Sequence, residues 1–244
     1  FLPMSTIGTD KINEEKSSLR INRVGFFDSG IGGLSVVAEF QKLCPNAEIY
    51  YIADWSYCPY GDKPVEVIQQ RARENTLSLL KHGCSTIVVA CNTATAAAIE
   101  MLRKEFPKVG FVGMEPAIKP AALKTTTGVV GVLATRGTFN GRLFHETSAR
   151  HASGIKVLEA VGEGFVELVE QGKQNTEEAS ECVRRVVQPL LEKGADCLVL
   201  GCTHYPFLKN TIQAVAGPNV TIIDPSEAVA QQVLRISMQS KQDF

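Results

Sequence analysis

Apolar positions along the chain fall into short continuous runs, separated by longer stretches in which apolar residues recur every three or four places. Short runs bounded by turn residues mark strands buried on both faces, and the longer amphipathic stretches mark the helices that cover them. Strands are expected at Arg23 to Phe27, Glu48 to Ala53, Thr86 to Ala90, Val109 to Val112, Gly128 to Ala134, Lys156 to Ala160, Cys197 to Leu200 and Thr221 to Ile223. Helices are expected over Leu34 to Lys42, Pro64 to Gly83, Ala94 to Phe106, Gly164 to Gly172, Asn175 to Lys193, Phe207 to Ala216 and from Ser226 onward. Pro64 suits a first helical turn, Gly83 a C-terminal stop, and Asn175 with Glu178 a capping box. Strands alternating with helices in this way predict an α/β protein whose parallel sheets are covered on both faces.

The pattern runs twice. Gly25 opens a strand and turn with Cys91 following 66 residues later, and Gly131 opens a strand and turn with Cys202 following 71 residues later. Such a duplication predicts two similar doubly wound parallel-sheet domains related by a pseudo-two-fold, with the active site in the cleft between them. Residues 1–22 are polar and aperiodic and are expected to form a flexible extension, in which Phe1-Leu2-Pro3 ahead of Met4 reads as a cloning remnant.

Composition narrows the classes of function. With 44% hydrophobic residues the chain can bury a sizeable core, and a formal net charge of −1 provides no basic stripe for phosphate backbones. No apolar run approaches the roughly 20 residues needed to span a bilayer, and no signal-peptide core precedes the first strand. A cytoplasmic protein that binds neither membrane nor nucleic acid directly is the expectation. The 7 cysteines are too few and too scattered for a secreted disulfide scaffold, so reduced thiols are expected. No C-x-x-C occurs, and Cys202-x-His204 is not a structural zinc spacing, which favours thiol chemistry over a metal site. Cys44, Cys84, Cys182 and Cys197 read as small buried hydrophobes.

Cys91 and Cys202 differ from these, because each follows an apolar strand and precedes hydroxyl or amide side chains: Cys91-Asn-Thr93 and Cys202-Thr-His204. That edge is where open α/β sheets place their ligands. Two thiols facing one cleft suit removal of a carbon-bound proton on one face and its replacement on the other, with one sulfur as thiolate and the other as thiol. Cys91 precedes a helix, whose dipole favours the anion, and His204 is placed to tune Cys202 or relay a proton to it. A single nucleophilic thiol working with His204, a redox pair and inert core cysteines remain open alternatives. The Gly-rich turn Asp28-Ser-Gly-Ile-Gly-Gly33 leaves nucleotide binding open too, although it lacks the last small residue of the dinucleotide fingerprint and no Walker lysine follows.

Five ordered motifs carry a family resemblance: Phe27-Asp28-Ser-Gly-Ile-Gly-Gly33-Leu-Ser, Pro59-Tyr-Gly61, Ala90-Cys-Asn-Thr-Ala94, Leu133-Ala-Thr135 and Gly201-Cys-Thr-His-Tyr-Pro206. With these the chain resembles the glutamate racemases of the aspartate/glutamate racemase superfamily, from about Val24 to the last helix. The resemblance implies cofactor-independent interconversion of L- and D-glutamate, with no metal, supplying D-glutamate to peptidoglycan synthesis. It assigns Cys91 as the base for D-glutamate and Cys202 as the base for L-glutamate, with Asp28 beside the first, His204 beside the second and Glu170 supporting His204. Asp28, Ser29, Tyr60, Gly61, Asn92, Thr93, Thr203 and His204 are then substrate-binding positions, with Thr135 a further one. Domains are expected at 23–113 plus 226–244 and at 114–225. A homodimer and activation by a muramyl nucleotide are further implications, as is gyrase binding in some members; aspartate racemase is the nearest alternative. The segment Val161-Gly-Glu-Gly164 departs from the Cys-Pro pattern common in the family at that place. Without the resemblance, Asp28 reads as a turn cap, Tyr60 as a half-buried aromatic, His204 as a satisfied core histidine and Glu170 as a solvated helix acid.

Overall fold

Whether a strand is central or at an edge follows from how continuously apolar it is. In the computed structural model, which describes residues 23–239, β1 (Val24–Asp28) and β3 (Thr86–Val89) are buried at every position and form the middle of a four-stranded parallel sheet. The less completely buried β2 (Ile49–Ala53) and β4 (Gly110–Gly113) flank them, in the order β2-β1-β3-β4. A second parallel sheet repeats that order with β6 (Lys156–Val161), β5 (Val129–Ala134), β7 (Cys197–Gly201) and β8 (Thr221–Ile223). Lys156 and Glu159 stand exposed on the edge strand β6, where charge discourages further pairing. The duplicated α/β architecture expected from the pattern is therefore present. The expected extension over residues 1–22 and the chain end at 240–244 lie outside the described residues.

Side-chain alternation divides each sheet between two cores. Val24, Phe26 and Val88 pack with Phe40 of α1 (Leu34–Leu43), and Phe27, Ile87 and Val89 pack with Leu79 of α2 (Val65–Lys81) and Leu102 of α3 (Asn92–Glu105). In the second sheet Val130, Val132 and Val199 face Ile118 of α4 (Ile118–Lys124), together with Phe139 of α5 (Arg136–Phe139) and Phe144 of α6 (Arg142–His151). Leu133, Leu198 and Leu200 face Val169 of α7 (Phe165–Glu170), Leu190 of α8 (Glu177–Glu192) and Ile212 of α9 (Lys209–Ala216). The last helix, α10 (Ser226–Gln239), returns to pack on α1 and β4. Gly25 and Gly131 play one part twice: a Cβ on either would come within 2.9 Å of a leucine from the covering helix, Leu79 or Leu190.

Four features differ from expectation. The helices α4, α5 and α6 are absent from the expected pattern: α4 is short with Pro120 in its first turn, α5 covers four residues where a turn is expected, and α6 buries a single residue, Phe144, which leaves little apolar period to read. α3 begins at Asn92 rather than Ala94, so that Cys91 itself becomes the N-cap. The cap of α8 is Thr176, whose Oγ1 accepts from Ala179 N at 3.2 Å, and not Asn175. A 3-10 turn over Tyr205–Leu208 precedes α9, which starts at Lys209 rather than Phe207.

Candidate active site

The register of β1 and β3 pairs Phe27 with Val89, and Ala90 N donates to Phe27 O at 2.9 Å, which carries Asp28 alongside the Ala90-Cys91 segment. The register of β5 and β7 pairs Ala134 with Gly201, which carries Thr135 alongside Cys202 in the same manner. The two thiols therefore leave corresponding ends of corresponding strands. Both are free and buried.

Asp28 is fully buried and is satisfied mainly by backbone: Ser29 N donates to Oδ1 and Gly33 N to Oδ2, each at 2.7 Å. It thus caps the Gly-rich turn, and it also touches the site, because Thr203 Oγ1 donates to Oδ2 at 3.3 Å. Burial raises the Asp28 pKa above the usual carboxylate range, against the lowering influence of His204 and the two backbone donors. Cys91 Sγ accepts from Ala94 N at 3.4 Å. Its position at a helix N-terminus led us to expect a lowered pKa; instead burial, followed by the Asp28 charge, holds the thiol well above its ordinary value. The one favourable amide contact is outweighed by desolvation and a neighbouring anion.

On the other side, His204 Nε2 meets Glu170 Oε1 at 2.5 Å and Nδ1 lies 3.8 Å from Cys202 Sγ. Burial alone would lower the imidazole pKa. The hydrogen bonds to Cys202 and Glu170, and then the charges of Cys202 and Asp28, overcome it and push His204 up to about 10. At neutral pH both ring nitrogens therefore carry protons, one aimed at the sulfur and the other at the carboxylate. Glu170 also accepts from Ile31 N at 2.8 Å and from Trp55 Nε1 at 3.0 Å. Burial pushes its pKa up, but the bonds from His204 and Ile31 win and hold it below the usual glutamate value. The unusual Val161–Gly164 segment leaves this pairing intact: Gly162 fits under Tyr205, where a Cβ would crowd its ring, and α7 still presents Glu170 to His204.

The Gly-rich turn is pressed against these groups. A Cβ on Gly32 would come 2.5 Å from His204 Nδ1 and 2.8 Å from Thr203 Oγ1, and one on Gly30 would overlap the Glu170 carboxylate. Tyr51 OH donates to Gly30 O at 2.7 Å and Ser35 Oγ to Thr203 O at 3.3 Å, which ties the turn in place.

The remaining anticipated residues are distributed around this network. Asn92 is buried, and both its Oδ1 and its Nδ2 lack a hydrogen-bond partner, alone among the anticipated site residues. Thr93 Oγ1 and Thr135 Oγ1 are 2.8 Å apart and link the two units. Ser29 is buried beside Asp28, to which its backbone N–H donates. Tyr60 is neither a half-buried surface ring nor a free donor: it is buried, and its hydroxyl donates to Asp54 Oδ2 at 2.5 Å. Arg71 clamps that same carboxylate through two 2.8 Å bonds. Gly61 offers its carbonyl to Gly137 N at 3.0 Å. Trp55, Cys58 and the Ile31 amide carry no sequence signal of their own, because each reaches Glu170 or its surroundings from a loop whose only readable marks are Pro59-Tyr-Gly61 or the turn glycines.

A duplicated parallel-sheet protein with one acid-flanked and one imidazole-flanked thiol has the outline of a racemase, and the family model for Asp/Glu/hydantoin racemases matches residues 35–233. The chain is 48% identical to the glutamate racemase of Herpetosiphon aurantiacus over 87% of its own length and 84% of the relative's. Its fold is similar to that of the Escherichia coli glutamate racemase solved with L-glutamate and the activator UDP-MurNAc-Ala (TM-score 0.82, 35% identity, covering 88% of this chain and 82% of that one). It is also similar to a glutamate racemase isoform from Bacillus anthracis (TM-score 0.80, 32% identity, covering 90% and 83%). The chain belongs to the glutamate racemase family, and with it to the isomerases.

Proposed function

We propose that the protein interconverts L- and D-glutamate without a cofactor by proton transfer between Cys91 and Cys202, and so supplies D-glutamate for peptidoglycan synthesis. The observation that carries this reading is the pair of free, buried thiols at equivalent strand ends, each with its own charged partner. From L-glutamate, the Cys202 thiolate removes the α-proton while the Cys91 thiol delivers one to the opposite face. Cys91 is suited to begin as the donor, since burial and Asp28 keep it protonated. In the reverse direction Cys91 must be the thiolate, and the substrate ammonium is the charge that can offset Asp28. His204, doubly protonated and hydrogen-bonded to Cys202, returns protons to that sulfur, with Glu170 holding the ring.

Substrate recognition falls to neutral groups in this scheme. Leaving both ends of a buried amide unpartnered costs about 1–3 kcal/mol per group, and a substrate carboxylate and ammonium would satisfy both ends of Asn92. Thr93, Thr135, Thr203, Ser29 and the Gly61 backbone add donors and acceptors around it. The unit boundaries proposed for this cleft are 23–113 with α10 on one side and 114–225 on the other, a division supported by the packing of α10 on α1 and β4.

In deuterium oxide each enantiomer should gain α-deuterium as it racemises, and Cys91→Ala or Cys202→Ala should lower kcat by at least about 10³-fold. Full activity in either variant would defeat the two-base scheme, and a higher kcat/KM for aspartate than for glutamate would reassign the substrate. Circular dichroism of the turnover with and without UDP-MurNAc-Ala tests activation by a muramyl nucleotide, and light scattering tests the homodimer.

A further inference from the structure

The loop after β2 brings a third thiol to the Glu170–His204 pair. Cys58 Sγ, a carboxylate oxygen of Glu170 and a ring nitrogen of His204 all lie within 4.8 Å of one another. Two members of this cluster face outward, with His204 buried behind them: Cys58 and Glu170 line a surface cavity of about 270 Å³ with Trp55, Pro59 and Val166. We propose that Cys58, Glu170 and His204 form a site for a borderline-soft divalent cation of the zinc class, which bridges the two units and silences the enzyme.

The donor set supports this class of ion. Thiolate, imidazole and carboxylate are the ligand types of tetrahedral zinc, whereas magnesium and calcium favour oxygen donors alone. Three protein ligands leave the fourth position to a water in the cavity. For bonds of about 2.0–2.3 Å the donors sit roughly 3.5 Å apart, so Cys58 must draw in while Glu170 and His204, which meet at 2.5 Å, must part to admit the ion between them. Charge points the same way. Burial and then the Glu170 carboxylate, with smaller contributions from Asp28 and Glu167, push the Cys58 thiol up to about 12. Burial opposes any lone charge there, but the Glu170 carboxylate within the cluster attracts a cation, and a bound cation reverses the opposition to a thiolate.

Coordination is a proton-for-metal exchange without redox change. Cys58 releases its thiol proton and His204 its Nε2 proton to water, while the ion accepts one electron pair from each donor. The consequence is mechanical as well as electrostatic. Cys58 belongs to the loop after β2, whereas Glu170 and His204 belong to α7 and to the segment after β7, so the ion fastens the first unit to the second. It also removes the proton that His204 holds toward Glu170. Cation binding stands on the donor set alone; only the predicted loss of racemisation rests on the proposed function.

Protein freed of metal with EDTA is titrated with Co²⁺ as a spectroscopic probe and then with Zn²⁺. One Co²⁺ per chain should bind with a thiolate-to-cobalt charge-transfer band that Zn²⁺ displaces, and racemisation should fall in step with Zn²⁺ occupancy and return with EDTA. Cys58→Ser and Cys58→Ala should keep their racemisation in EDTA and lose the band. Their half-inhibiting Zn²⁺ concentration should rise roughly 100-fold or more, since even the outer partners of a metal ligand are worth about 10–100-fold. In the unaltered protein, Zn²⁺ should protect Cys58 from iodoacetamide. Unprotected Cys58, absence of Co²⁺ uptake, or a band and Zn²⁺ sensitivity that persist in both variants would overturn the proposal, the last by moving the ion to Cys91 or Cys202. A protein that binds Co²⁺ through Cys58 but racemises nothing would keep the cation site and remove the proposed function.

Discussion

Asp28 shares its two oxygens between the amides that shape the Gly-rich turn and the Thr203 hydroxyl of the site. Its charge is among the reasons that Cys91 stays a thiol. In Asp28→Asn the Cys91 pKa should therefore fall, read as a downward shift in the pH dependence of Cys91 alkylation, while kcat drops by about 10²-fold. An unchanged alkylation profile would show that burial alone sets the thiol. His204 gives the opposite kind of pH dependence. Its folded pKa of about 10 lies above the ordinary 6.5, so its pairing stabilises the fold fully below about pH 6.5 and is lost as pH rises through about 10. The Tm advantage of the native protein over His204→Asn should shrink between pH 7 and 10.5; a constant gap over that range would remove the ion pair from the account.

Two loops show how elements divide between function and stability. The turn between β1 and α1 has no room for a side chain at Gly32, because His204 and Thr203 fill the space. Gly32→Ala should cost about 1–3 kcal/mol through overpacking and reduce kcat along with stability, since relief requires moving the Cys202–His204 segment. The loop before β5 is held differently. The Asp196 carboxylate accepts from Thr125 Oγ1 at 2.5 Å, from Thr126 N at 2.6 Å and Oγ1 at 2.7 Å, and from Thr127 N at 3.0 Å. Asp196→Ala should lower stability by about 2 kcal/mol in denaturant melts and leave kcat untouched, because the loop lies away from the Cys91–Cys202 network. An equal loss of kcat in both variants would contradict this separation.

At the scale of the molecule, the two candidate sulfurs of Cys91 and Cys202 are buried, and the larger surface cavities are lined by neither of them, although one reaches Gly61 and Thr93. Substrate entry therefore requires the units to part. Parting must break the Ile31–Glu170, Trp55–Glu170, Ser35–Thr203 and Thr203–Asp28 hydrogen bonds. Trp55 is the single tryptophan of the sequence, and it is 63% exposed even while its indole N–H is engaged. Its fluorescence should change when D-glutamate is added, with Cys91 and Cys202 alkylation slowing in the same concentration range. In the substrate-free protein Cys58 should react first of the three. Alkylation of Cys91 as fast as that of Cys58 would show that the cleft stands open. Among the described residues no helix is long and apolar enough to cross a membrane.

The sequence by itself determined which runs are buried strands, that the pattern repeats, and that Cys91 and Cys202 stand at matching strand ends. These are local properties, written in hydrophobic period and turn residues, and they are legible because a strand buried on both faces has few compositions open to it. Helices with little apolar period, such as α6, were not legible, since tertiary contacts rather than local pattern hold them. Only the tertiary structure decided how Glu170 reaches His204, why Cys91 is held as a thiol, that Tyr60 serves Asp54, and that Cys58 joins Glu170 and His204. Each of these depends on groups far apart in sequence meeting in a space from which water is excluded. Desolvation and neighbouring charge set the protonation of such groups, and neither is a property of the residue alone.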